Sequence, residues 1–157
     1  MRHRTKPVTL ALTFIFSAMV MCAPAALGQA VTQDTPITNQ TIVNECNGEP
    51  VLLNGTLHSE MSFSTNPNGM THFSLNATAH MTGVGQITGV NYVANDNTHL
   101  ETNTRGYAQE QTNDTKIKLI SQGPQTPNMV DHATLHVVID KNGVPKVEIS
   151  KHQIKCN

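Results

Sequence analysis

Histidine is the side chain through which this sequence has most chemistry to offer. Eight are present: His3 lies in the N-terminal segment, and His58, His72, His80, His99, His132, His136 and His152 fall in the body of the chain. A neutral imidazole can act as base or as ligand to zinc or copper. None of the seven shows H-x-H or H-E-x-x-H spacing, so a metal centre has to be assembled by strand pairing. Pairing of the last two apolar segments opposes His132 to His152 and His136 to Glu148, which makes these four the candidate metal set, with His58 and His80 a second group. Two imidazoles at a cross-strand pair have Cβ atoms about 5 Å apart and can share zinc or copper if a third ligand arrives. The plainer reading, histidines on a wet strand face beside Thr, Ser and Asn, is preferred, so no cofactor is expected. Asp131-His132 with a serine nearby suggests a hydrolytic triad, but the G-x-S-x-G elbow is missing and no catalytic residue is assigned.

The elements that must position these residues follow a period of two. Val51, Leu53, Gly55, Leu57, Met61 and Phe63 alternate with Asn54, Thr56, His58, Glu60 and Ser62, and Phe73, Leu75, Ala77, Ala79 and Met81 alternate with His72, Ser74, Asn76, Thr78 and His80. Such alternation describes half-buried strands with one wet face. Further strands are expected at 41–45, 87–94, 100–111, 115–121, 129–139 and 144–154. Turns are expected at 83–85, 95–97, 112–114, 123–128 and 142–143. The expectation is an all-β domain of about eight antiparallel strands in a meander, closed as a barrel in preference to a sandwich.

Hairpin register is constrained because like faces must pair. A two-residue turn at Asn68-Gly69 would oppose apolar to polar residues throughout. A three-residue loop, Pro67-Asn68-Gly69 with Gly69 left-handed, instead pairs Phe63 with Phe73 and Met61 with Leu75. The same loop at Lys141-Asn142-Gly143 pairs Val137 with Val147 and Leu135 with Ile149.

The first thirty residues place the chain in a compartment. Arg2, Arg4 and Lys6 precede an apolar run and the small-residue tail Ala25-Ala26-Leu27-Gly28-Gln29-Ala30, the pattern of a secretory signal peptide over 1–30. The apolar run is too short for a membrane span, and none is expected after cleavage. A polar leader over 31–40 and a single domain over 41–157 follow. Removal of three basic residues from a chain of net charge -1 leaves an acidic domain, which argues against nucleic acid as a partner. Of three cysteines, Cys22 leaves with the signal, and Cys46 and Cys156 are expected to form a disulfide in a secreted or periplasmic protein.

The run Cys46-Asn47-Gly48-Glu49-x-Val51, with Gly55-Thr56-x-His58, Gly69-x-x-His72-Phe73 and Gly83-x-Gly85-x-x-Thr88-Gly89-x-x-Tyr92, resembles a group of small exported bacterial β-rich proteins of uncharacterised function. The resemblance implies export and a β-rich domain and carries no binding residues. The Gly-x-Trp of a lipocalin is lacking, since the chain has no Trp.

The reading these features favour is a non-catalytic protein that binds a small apolar ligand, lined by Leu57, Met61, Phe63, Phe73, Leu75 and Met81. Aromatic residues make up only 4% of the chain, which favours a cavity or a flat sandwich over a large solid core. The alternatives are a histidine-based metal-binding protein or metal-dependent enzyme, and a surface interaction protein contacting a macromolecule through its Thr and Asn face.

Overall fold

A computed structural model of the chain describes residues 29–157. The expected signal peptide lies outside these residues, apart from Gln29 and Ala30, which belong to the first strand. The described residues form one antiparallel meander of seven strands: β1 (Gln29–Asn44), β2 (Glu49–Thr65), β3 (Thr71–Gly85), β4 (Asn91–Arg105), β5 (Ala108–Ser121), β6 (Met129–Ile139) and β7 (Pro145–Cys156). Among the described residues no helix is long and apolar enough to cross a membrane.

Three expectations are corrected at the level of elements. The polar stretch 31–40 is not a loose leader but most of β1, held along β2 from Gln29↔Phe63 onward. It is polar because an edge strand has one neighbour and much solvent, and Pro36 is tolerated there for the same reason. The turns expected at 95–97 and 112–114 lie inside β4 and β5, where ladders on both sides override the turn preference of Asn and Asp. The chain reverses instead at Gly106-Tyr107, a two-residue loop between the paired Arg105 and Ala108, with Gly106 supplying φ 61°. Merging these pieces gives seven strands in place of eight. The sheet also does not close as a barrel: the strand order runs from β1 to β7 with no ladder joining the two edges.

The first hairpin has the register that its face pattern requires. Phe63↔Phe73, Met61↔Leu75 and His58↔Thr78 are paired, and Gly69 has φ 73°. The second begins as expected, with Asp140 N donating to Val144 O at 2.9 Å and Gly143 at φ 79°. A bulge then intervenes, because Ile139 pairs with Pro145 but Val138 with Val147, which leaves Lys146 over. Beyond it every residue of β7 has changed face, so Val137 meets Glu148 and Leu135 meets Ser150. The cause lies at the other end of the strand. Only this phase turns Ile154 onto the core and puts Cys156 level with Met129, within reach of Cys46.

The core is gathered at one end of the sheet. Val51, Leu53, Ala79, Met81, Tyr92, Ala94, Leu119 and Met129 are buried in one cluster drawn from β2 to β6, all on one face, here the inner face. A flat sheet would hold β1 and β7 about 29 Å apart at a strand spacing of about 4.8 Å. Instead Cys46, after β1, and Cys156, at the end of β7, form a disulfide with Cα atoms 5.6 Å apart, and Asn44 Nδ2 donates to Pro127 O at 2.9 Å. The sheet is thus curled hard at this end. Gly55 and Gly83 allow it, since a Cβ at Gly83 would lie 1.9 Å from the Leu52 carbonyl oxygen and one at Gly55 2.0 Å from that of His80.

Candidate functional site

Strand register sorts the inner face into rows that run across the sheet. Next to the Leu53, Gly83 and Tyr92 row of the curled end, Met81, Ala94, Leu119 and Met129 form the first row counted here, and beside it lie Leu57, Ala79, Asp96, Ile117, Asp131 and Ile154. The third row has only small or short side chains from Ser59 to Ala133, namely Ser59, Ala77, Thr98, Thr115 and Ala133. The fourth is apolar again: Met61, Leu75, Leu100, Asn113 and Leu135. Phe63, Phe73, Thr102, Gln111 and Val137 make the fifth.

Of the six side chains expected to line a ligand space, all share this face, but they do not share one environment. Met81 is buried in the core and Leu57 packs against it, so neither borders open space in the way expected. Met61, Phe73 and Leu75 are half-buried, and Phe63 is 56% exposed. These four lie beyond the row of small residues, where no second layer formed by the described residues covers the sheet. At the open end a hollow of about 240 Å³ lies between Met70, Ala108, Val138 and Ile139.

Polar groups interrupt this surface at defined points. Asn113 Oδ1 is buried without a hydrogen-bond partner among the described residues, in the apolar row between Leu100 and Leu135. Asp96, between Ala79 and Ile117, has its pKa raised by burial, with a Thr98 hydroxyl only partly opposing the shift. His152 Nε2 donates to Asp131 Oδ1 at 2.7 Å, an inner-face pair. None of these three roles shows in the sequence, because the Asn- and Asp-rich stretches 95–97 and 112–114 read as turns and the alternation of Val147 and Ile149 favours the opposite phase for β7.

The candidate metal set is not brought together. His132 and His136 stand on the outer face opposite Gln153 and Ile149, whereas the bulge puts Glu148 and His152 on the inner face. Among the described residues no group of three His, Cys, Asp or Glu side chains could hold a metal ion. Each outer imidazole is instead bonded to a side chain of an adjacent strand. His58 Nδ1 donates to Asp34 at 2.7 Å, His72 to Asn103 at 2.8 Å, His80 to Asn95 at 2.7 Å and His99 to Asn76 at 2.6 Å. His132 Nε2 donates to Asp114 at 2.8 Å, and His136 Nδ1 lies 2.9 Å from the Thr112 hydroxyl. The histidines therefore act as cross-strand ties, each completing a polar pair on a wet face.

Behind the core, at the curled end, Glu49 and Asn44 are fully buried. Glu49 Oε1 accepts from Thr88 N at 2.8 Å and Thr88 Oγ1 at 2.7 Å, and Oε2 accepts from Tyr92 OH at 2.7 Å. The Thr88 hydroxyl leads the donors that hold its carboxyl at a pKa of about 2, against the opposing effect of burial. Burial first, and then the bond to Glu49, push the Tyr92 phenol up. Asn44 Oδ1 accepts from Cys46 N at 3.1 Å and so ties the network to the disulfide. Two segments distant along the chain, 44–49 and 85–92, meet here, with the donors of Thr88 and Tyr92 aimed at the Glu49 charge. Gly85 leaves the room for it, since a Cβ there would lie 2.2 Å from Glu49 Oε1. This is an ordered plug, in which the Glu49 and Tyr92 side chains are buried beneath the exposed loop that carries Thr88.

Comparison with protein-family models, with curated proteins and with solved structures finds no match to this chain.

Proposed function

We propose that this is an exported, non-catalytic binding protein that holds a small apolar molecule bearing a hydrogen-bond donor on its inner face, against Met61, Phe63, Phe73 and Leu75. The observation that carries this reading is the Asn113 carboxamide oxygen, buried without a partner in an otherwise apolar row. A buried acceptor left unmade costs about 1–3 kcal/mol, and a ligand hydroxyl or N–H removes that cost. The apolar rows support the same conclusion, because a sheet face of this kind calls for a covering layer and the described residues supply none. The small side chains of the third row leave space between the packed core and the Met61 row. Export is supported by the basic and apolar N-terminal sequence, by the disulfide, which suits an oxidising compartment, and by the resemblance to small exported proteins.

The test is titration with N-phenyl-1-naphthylamine, an apolar fluorophore with an N–H donor, followed by displacement with 1-decanol or with its methyl ether. Saturable, blue-shifted emission is expected, with decanol the better competitor. Leu75→Glu should abolish the signal, and Asn113→Leu should remove the preference for the alcohol, a difference of about 1 kcal/mol. Absence of saturable binding, or binding indifferent to Leu75→Glu, would refute the reading.

A further inference from the structure

A larger hollow than that at the open end lies on the other side of the sheet. A groove of about 410 Å³ crosses β3, β4 and β5 between Asn76, Thr78, Asn97, His99, Lys116 and Lys118. A smaller hollow of about 70 Å³ continues it across β6 and β7, lined by Lys116, Val130, His132, Gln153 and Lys155. Lys116 borders both, so the two form one track. Its floor follows the register, with Thr78, Asn97, Lys116, His132 and Gln153 standing in a single row contributed by five adjacent strands.

The charge of this track runs against that of the molecule. Residues 29–157 hold all eleven carboxylates of the chain but only seven of its ten Lys and Arg, since Arg2, Arg4 and Lys6 precede them. Three of those seven, Lys116, Lys118 and Lys155, project here, exposed and outside the ion pairs found among the described residues. The one carboxylate in the track, Asp114, is already engaged by the Thr134 hydroxyl at 2.7 Å and by His132 at 2.8 Å. Of the other acids of this face, Glu101 and Glu110 lie in rows nearer the open end, Glu60 stands at the β2 end of the Asn76, His99 and Asp114 row, and Asp34, at the β1 end of the Thr78 and Lys116 row, is engaged by His58 at 2.7 Å.

From this we infer that the outer track binds an acidic polysaccharide, a chain of uronate-type sugars. Amide, hydroxyl and imidazole groups along the floor match sugar hydroxyls, and the ammonium groups match carboxylates spaced along the chain. Lys116 and Lys118, two residues apart on one face, stand about 7 Å from each other. No aromatic ring lines the track to stack a base, which disfavours a nucleic acid. A concave track also fits a chain better than it fits a flat bilayer.

The experiment is calorimetric titration of the exported chain with polygalacturonate at low salt and neutral pH. Saturable binding that weakens with added salt is expected, with none to neutral dextran. The double variant Lys116→Gln, Lys118→Gln should lose about tenfold or more in affinity at an unchanged thermal midpoint, and the Lys116→Arg, Lys118→Arg pair should retain binding. No binding, equal binding by the glutamine variant, or tighter binding of single-stranded DNA or of phosphatidylglycerol vesicles would each overturn the inference. Leu75→Glu, on the opposite face, should leave polygalacturonate binding intact, which keeps this test separate from that of the apolar site.

Discussion

Glu49 is the residue on which the curled end depends most. Its pKa is held at about 2 against an ordinary 4.5, so the unfolded chain takes up the proton first on acidification. The contribution of the network is therefore whole above pH 4.5 and is lost as pH falls towards 2. Glu49→Gln should cost about 1–3 kcal/mol at neutral pH and flatten the dependence of Tm on pH across that window, as thermal melts from pH 2 to 7 would show. Asp96 works in the opposite sense. Burial disfavours its charge, so Asp96→Asn should raise Tm at pH 7 and lose that advantage in acid. Neither role was legible in the sequence. Glu49, Thr88 and Tyr92 stand apart along the chain, and only the curl shows that their polar atoms converge.

Among the elements, β2 and β3 were almost fully legible and β7 was not. The first hairpin has one buried face along its length, so alternation and the left-handed Gly69 loop define its register without help from elsewhere. In β7 two demands conflict: Val147 and Ile149 favour one phase, whereas Ile154 and Cys156 favour the other. The second wins, and Val147 and Ile149 are left 41% and 44% exposed. A local pattern could not reveal this, because the deciding contact, Cys46, lies 110 residues away. The loss of His152 from the wet face follows from the same slip, and with it that of the candidate metal set. Substitution at the sharply curled positions separates two uses of glycine. Gly83→Ala, with its Cβ driven into the Leu52 carbonyl, should cost several times more than Gly69→Ala, which meets open space and bears only the about 1–2 kcal/mol of a left-handed φ; urea midpoints of the two variants would decide.

For the whole molecule the disulfide does what no ladder does, joining the two edges of the sheet. Cys156→Ser should therefore lower stability by about 2–5 kcal/mol while leaving the far-ultraviolet strand signal in place, since the six ladders remain. An unchanged melting point would mean that the bridge bears no load. The class of fold and the cysteine pair could be read from composition and alternation. The open sheet could not, because whether the two edges meet depends on the number of strands, and the count itself turned on Asn- and Asp-rich segments that are strands in their neighbours' company. Seven is an odd number. A ring whose members alternate in direction needs an even one, so the outermost pair here point the same way and no antiparallel seam can be made between them. Sulfur fastens that mismatched seam at one rim, and the opposite rim is left to gape.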